Sequence, residues 1–281
     1  MTRSPLLAAT LVISLTLPAA ADPKLWTAQS FDMPESAIYD EARQRIVVSV
    51  IGGHPGEADG NGVLAVLSPD GEILDDAWIT GLDAPKGMAI VDDLLLVADL
   101  RRLHEVDLIT GTLRRSLDVE GAVFLNDVTS EGTQTFVSDF MANRIWEYAD
   151  GEMKVWLDTP DLAHPNGVLL DGDNLIVASW GICMLDDFST ETPGSLLSVS
   201  LADQQISTLA DNLGNLDGVV RIGEVLLVND WITGALYQVR ADGAVFEVAQ
   251  HAPGLADIAA HGEMLLLPSM LEGTVSAQAY R

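Results

Sequence analysis

Six segments of the chain repeat one pattern: a polar residue, a short apolar strand, a turn, and a strongly apolar strand. They begin at MPESAIYD (33–40), APKGMAIV (84–91), LNDVTSEG (125–132), PNGVLLDG (165–172), LDGVVRIG (216–223) and ADIAAHGE (256–263). The apolar strands that follow are RIVVSV, LLLVADL, TFVSDF, LIVASW, VLLVNDW and MLLLPSM. Their polar positions, Glu35, Lys86, Asn126, Asn166, Asp217 and Asp257, are separated by 51, 40, 40, 51 and 40 residues. Units of this length with no helical periodicity between them predict an all-β chain, a six-bladed β-propeller with four strands per blade. DG and DGD turns between the later strands are hairpin signals. The last unit has room for only three strands before Arg281, so LWTAQSF (25–31) is expected to supply its outer strand and close the ring.

Residues 1–21 have a basic residue, Arg3, an apolar stretch from Leu6 to Leu17, and then Pro18 and three alanines. That is the pattern of a secretory signal peptide cut after Ala21, which leaves one propeller domain at 22–281, exported to the periplasm or the medium. The chain carries a net charge of −28 and one cysteine, Cys183. Such acidity repels nucleic acid and anionic lipid, so neither is expected as a partner, nor is a membrane once the leader is removed. The acids are scattered, as on a solvated surface, and the mature chain is expected to be a monomer. No intramolecular disulfide is possible, so the core or a bound ion must hold the exported fold together.

The first strand of each propeller blade lines the central channel, so equivalent starts of first strands form a ring at one mouth. Glu35, Lys86, Asn126, Asn166, Asp217 and Asp257 converge there on this reading. The second strand returns to the same face, bringing Asp99, Asp139, Ser179 and Asp230 near the ring. Leu100, Phe140, Trp180, Trp231 and Met270 become candidate pocket walls. The extra residues in the two 51-residue spacings fall in loops 52–62 and 181–195, after the second strands of blades one and four. Those loops would face each other across the mouth as lids, or be surface loops that have drifted in length.

Carboxylates and carboxamides together suit a hard cation, calcium above all, whereas zinc would want His or Cys. Glu35 and Asp217 balance a divalent charge, and Asn126 and Asn166 complete a neutral ligand set. Any one of these residues could equally make an Asx-turn before its strand; four at matching positions favour a shared ligand. Lys86 opposes a nearby cation, so it points aside or pairs with Asp257. Asp127, Asp139 and Asp230 are candidates to orient the ligands from behind, or are strand-end turn residues. The five histidines are dispersed with no metal-ligand spacing.

With PES at Glu35, FLND at Asn126, HPNG at Asn166 and LDG at Asp217, in that order, the chain resembles the SMP-30/gluconolactonase/LRE family, related to the paraoxonase and diisopropylfluorophosphatase propellers. The resemblance spans essentially the whole mature chain. It implies that Glu35, Asn166 and Asp217 bind the metal, that Asn126 contacts metal or substrate, and that Asp217 is the general base. Some positions depart from the family. MPES stands where Glu-Gly-Pro is common, and Phe124 stands where sugar lactonases carry Arg. The insertion that holds a substrate-binding acid in some members is missing between Phe140 and Asn143.

The expected activity is therefore metal-dependent hydrolysis of a lactone or related ester. The cation polarises the carbonyl and stabilises the developing oxyanion, and a water deprotonated by Asp217 or the metal attacks it. Phe124, Phe140, Trp180 and Trp231 are the expected substrate contacts beside Asn126, and favour a less polar substrate than a sugar acid. The alternative is an exported propeller that binds a ligand or protein without catalysis, its metal purely structural.

Overall fold

The computed structural model describes residues 24–185 and 187–280; the expected export signal at 1–21 lies outside them. Six antiparallel sheets stand in a ring as the blades of a propeller with four strands each, and blade four carries one short strand more. The innermost strands are Pro34–Asp40, Pro85–Val91, Leu125–Glu131, Pro165–Asp171, Leu216–Ile222 and Ala259–His261. Each packs beside the next, and the last returns to the first, where Asp257 N donates to Glu35 O at 3.0 Å.

The apolar runs become strands because both of their faces are covered. Leu94–Asp99 and Gln134–Asp139 are buried almost end to end, as second strands sandwiched between neighbouring blades. Outer strands such as Thr112–Asp118 are mostly exposed and polar. One apolar cluster fills each gap between blades. Val47, Leu64, Leu95 and Val97 join blades one and two, and Ile176, Leu196, Leu216 and Val228 join four and five. The ring closes as expected: Lys24–Gln29 pairs antiparallel with Thr274–Ala279 as the outer strand of blade six. Ala28 and Phe31 then pack with Ala37, Val48 and Val275 in the seam.

A recurrent irregularity sets the site. In blades two to five, the inner strand has two residues where its neighbour has one. Between the pairs Pro165↔Ser179 and Val168↔Val177 lie Asn166 and Gly167 against Ala178. The same bulge holds Lys86 and Gly87, Asn126 and Asp127, and Asp217 and Gly218. In blade one Glu35 alone is the extra residue, between Pro34↔Val50 and Ser36↔Ser49. A bulge bends the strand and re-aims a side chain that the regular pleat would direct elsewhere. The ring residues of blades one to five are the bulged residues.

The bulges also press adjacent inner strands together. A Cβ on Gly167 would lie 2.1 Å from Asp217 O, and one on Gly218 would lie 2.2 Å from Ile258 N. Both contacts are with backbone, so they cannot be relieved by turning a side chain. Gly167→Ala is expected to cost about 1–3 kcal/mol through overpacking, read as a lowered urea midpoint at an unchanged m-value.

Candidate functional site

Glu35, Lys86, Asn126, Asn166 and Asp217 are all buried and line one cavity of about 110 Å³ at the mouth of the channel. The walls are Ile51, Phe124, Phe140, Trp180, Trp231 and Met270, with Pro55 and Phe188 reaching in from the two long loops. Both loops stand over the mouth, as their placement after the second strands requires. In blade four the loop is a short ribbon in which Gly181–Met184 pairs with the start of Thr190–Ser200. Trp180 Nε1 donates to Phe188 O at 2.7 Å across its base. The aromatic walls touch one another: Phe124 lies 5.7 Å from Phe140, Phe140 5.5 Å from Trp180, and Trp180 6.1 Å from Trp231.

Asn126 Nδ2 donates to Asn166 Oδ1, and Asn166 O accepts from Ser138 Oγ at 2.7 Å. The two carboxamides from blades three and four are thus in direct contact. Glu35 Oε2 is buried with no hydrogen-bond partner. Burial first, then repulsion from Asp217 and Asp257, holds the Glu35 carboxyl well above the usual carboxylate range. Burial, then Asp257 and Asp230, does the same to Asp217. Burial alone pushes Asp257 up to about 7. Burial and mutual repulsion make these charges costly, and a cation between them would remove that cost. Among the described residues no cluster of three or more His, Cys, Asp or Glu is arranged to hold an ion. Two carboxylates and two carboxamides line this cavity, donor types that suit a hard cation such as calcium better than zinc.

Of the two alternatives for Lys86, pointing aside or pairing with Asp257, the pairing is not formed. Its Nζ donates to Ala84 O at 2.8 Å and to Pro55 O at 3.0 Å, and sits 4.5 Å from the centre of the Phe124 ring. Burial lowers its pKa to about 8 against the attraction of Glu35 and Asp99. Asp257 instead accepts from Ser36 Oγ at 2.7 Å.

The acids expected behind the ligands divide. Asp127 is a buried channel residue whose carboxylate accepts from Val128 N and Val168 N, both at 2.7 Å, and so ties the bulge of blade three to that of blade four. Asp139 touches no ring residue. It accepts from Val123 N, Phe124 N and Trp146 Nε1, and so sets the backbone of a pocket wall. Asp230 is spent on the turn at Ile232 and Thr233, and reaches Asp217 only through its charge. Asp99 does the same kind of work, accepting from Asp83 N, Ala84 N and His104 Nε2. In blades two and three the strand-end carboxylate thus fastens the chain that enters the bulge. Leu100 is buried beside the mouth and does not line the cavity. Ile51, which does, stands where the six-fold alignment places Leu100, Phe140, Trp180, Trp231 and Met270.

No protein-family model matches the sequence, and no curated protein matches it. The same fold occurs in a gluconolactonase from Xanthomonas campestris, with a TM-score of 0.68 and 16% identity over 94% of this chain and 92% of that one. A second structure, named a candidate gluconolactonase, gives a TM-score of 0.66 and 17% identity over 93% of each chain. Virginiamycin B lyase from Staphylococcus aureus gives 0.59 and 11% identity over 92% of this chain and 99% of that one. Identities this low establish the shared propeller and leave the chemistry to the site.

A carboxyl whose pKa is higher in the folded than in the unfolded chain gains protons on folding. Between its unfolded value near ~4 and its folded value, stability therefore falls as pH rises. In EDTA, urea unfolding is expected to show a loss on the order of a few kcal/mol between pH 5 and pH 8. Asp257→Asn, which removes a charge that raises Glu35, Asp127 and Asp217 alike, should flatten that slope.

Proposed function

We propose that this propeller is a calcium-dependent hydrolase of lactones or related esters with an apolar body. One observation carries the reading: bulged residues of blades one, three, four and five put two carboxylates and two carboxamides on a single buried cavity, where Glu35 Oε2 has no partner. Glu35, Asn126, Asn166 and Asp217 fit a calcium ion in charge and donor type. When bound, such an ion supplies Lewis acidity toward a substrate carbonyl. The gluconolactonase names among the fold's relatives agree with this chemistry.

The chain's own residues have separable tasks. Asp217 is the carboxylate on the cavity placed to help hold the ion and to take a proton from an attacking water. The contact between Asn126 and Asn166 holds both carboxamides at the cavity floor. Phe124, Phe140, Trp180 and Trp231 exclude water and give an apolar acyl or alkoxy group its surface. Phe124 stands where a sugar-binding Arg would be, so polyhydroxy lactones gain no polar contact there. The leader at 1–21 belongs to the same reading: a protein exported to a calcium-containing compartment, acting on a small molecule as a monomer.

A screen of lactones and aryl esters with purified protein tests the proposal. Hydrolysis should vanish on chelation and return with calcium. Glu35→Gln and Asp217→Asn should each lose at least about 100-fold in kcat/KM while keeping the wild-type circular dichroism spectrum. Undiminished hydrolysis in EDTA, or in an Asn166→Ala, Asp217→Ala double variant, would contradict it.

A further inference from the structure

Lys86 is the one cation among the described residues that line the cavity, and the hydrolysis reading gives it no task. An ammonium carries three N–H donors. Two are spent on Ala84 O and Pro55 O, and the hydrogen bonds of the described residues give the third no partner. The side chain is 2% exposed, yet it forms no ion pair with any described residue in a chain holding 42 acids. A buried charge without a counter-charge is costly, and proteins keep one where it has work to do. Its attractions to Glu35 and Asp99 act from beyond ion-pair distance; in the proposed function Glu35 is committed to the cation, and Asp99 is spent on Asp83 N, Ala84 N and His104 Nε2. Around it the cavity is otherwise aromatic and aliphatic, with Phe124 under the ammonium.

We infer that Lys86 is a specificity residue that receives a carboxylate of the substrate. This rests on the hydrolase reading and narrows it: the preferred esters or lactones have an apolar body and carry an anionic carboxylate. Lys86 lines the same cavity as Glu35, Asn126, Asn166 and Asp217, so one small substrate can meet the ammonium and the proposed metal site together. The two backbone acceptors fix the ammonium in place, so the anion meets a preorganised donor and a desolvated charge. Because one of those acceptors is Pro55 O in loop 52–62, the same contact holds that loop over the bound anion.

The test uses tryptophan fluorescence, since Trp180 and Trp231 line the cavity. Calcium-loaded protein is titrated with phenylacetate and with its neutral counterpart phenylacetamide. Wild type should bind the carboxylate at least tenfold more tightly. Lys86→Met should lose that preference while still binding calcium, and Lys86→Arg should keep most of it. A tenfold preference surviving in Lys86→Met would assign the carboxylate to the metal and overturn the inference, as would equal binding, or no binding, of the two probes by wild type. A second measurement needs no variant: wild-type kcat/KM should be at least tenfold higher for 3-acetoxybenzoate than for phenyl acetate, and equal values would count against Lys86. Turnover of neither ester would speak against the hydrolase reading alone, because the fluorescence preference does not depend on catalysis.

Discussion

Six inner strands crowd around one channel, and the rest of the molecule follows from how they fit. Where the strands of adjacent blades come closest there is no room for a Cβ, so Gly167 and Gly218 stand against the backbone of the next blade. The residue before each glycine is displaced into a bulge and turned toward the channel mouth. Close packing and the convergence of polar side chains are therefore one geometric event. Where blade three has Asp127 in place of a glycine, its carboxylate reaches across to Val168 N and becomes the link between strands.

That geometry places charge where charge is expensive. Glu35, Asp127, Asp217 and Asp257 are all buried, and the charge of Asp257 raises the proton affinity of the other three. A core that merely needed to close the channel would use apolar residues here, as the clusters between the blades do. Four buried acids and an ammonium near the channel mouth carry a stability cost, which agrees with the proposed binding site. The aromatic walls sharpen the effect: a cavity of low polarity strengthens every electrostatic contact made within it.

Much of this was legible in the sequence, because a propeller writes its period into the chain. Blade number, the closing strand and the ring positions all follow from aligning PES, PKG, ND, PNG, LDG and AD. Most of the walls follow from the residue after the second strand, and Ile51 could have been found the same way, whereas Leu100 at that position of blade two does not line the cavity. What the alignment could not supply was partnership. Asp139 and Asp230 look like Asp127 in sequence, yet their carboxylates face backbone donors of their own blades, a choice made by turn geometry. Lys86 gave no sign that its partners would be Ala84 O and a carbonyl from a loop 31 positions away. The bulges were also invisible, since they are a relation between two strands and not a property of either.

In the proposed function the bulged residues of four different blades share a single calcium ion. Calorimetric titration of chelator-stripped protein with calcium chloride measures this directly. It should give one ion per chain, with affinity lost or lowered at least tenfold in Asn166→Ala, whose side chain comes from a different blade than either carboxylate. No calcium binding, or binding unchanged in Asn166→Ala, would contradict it.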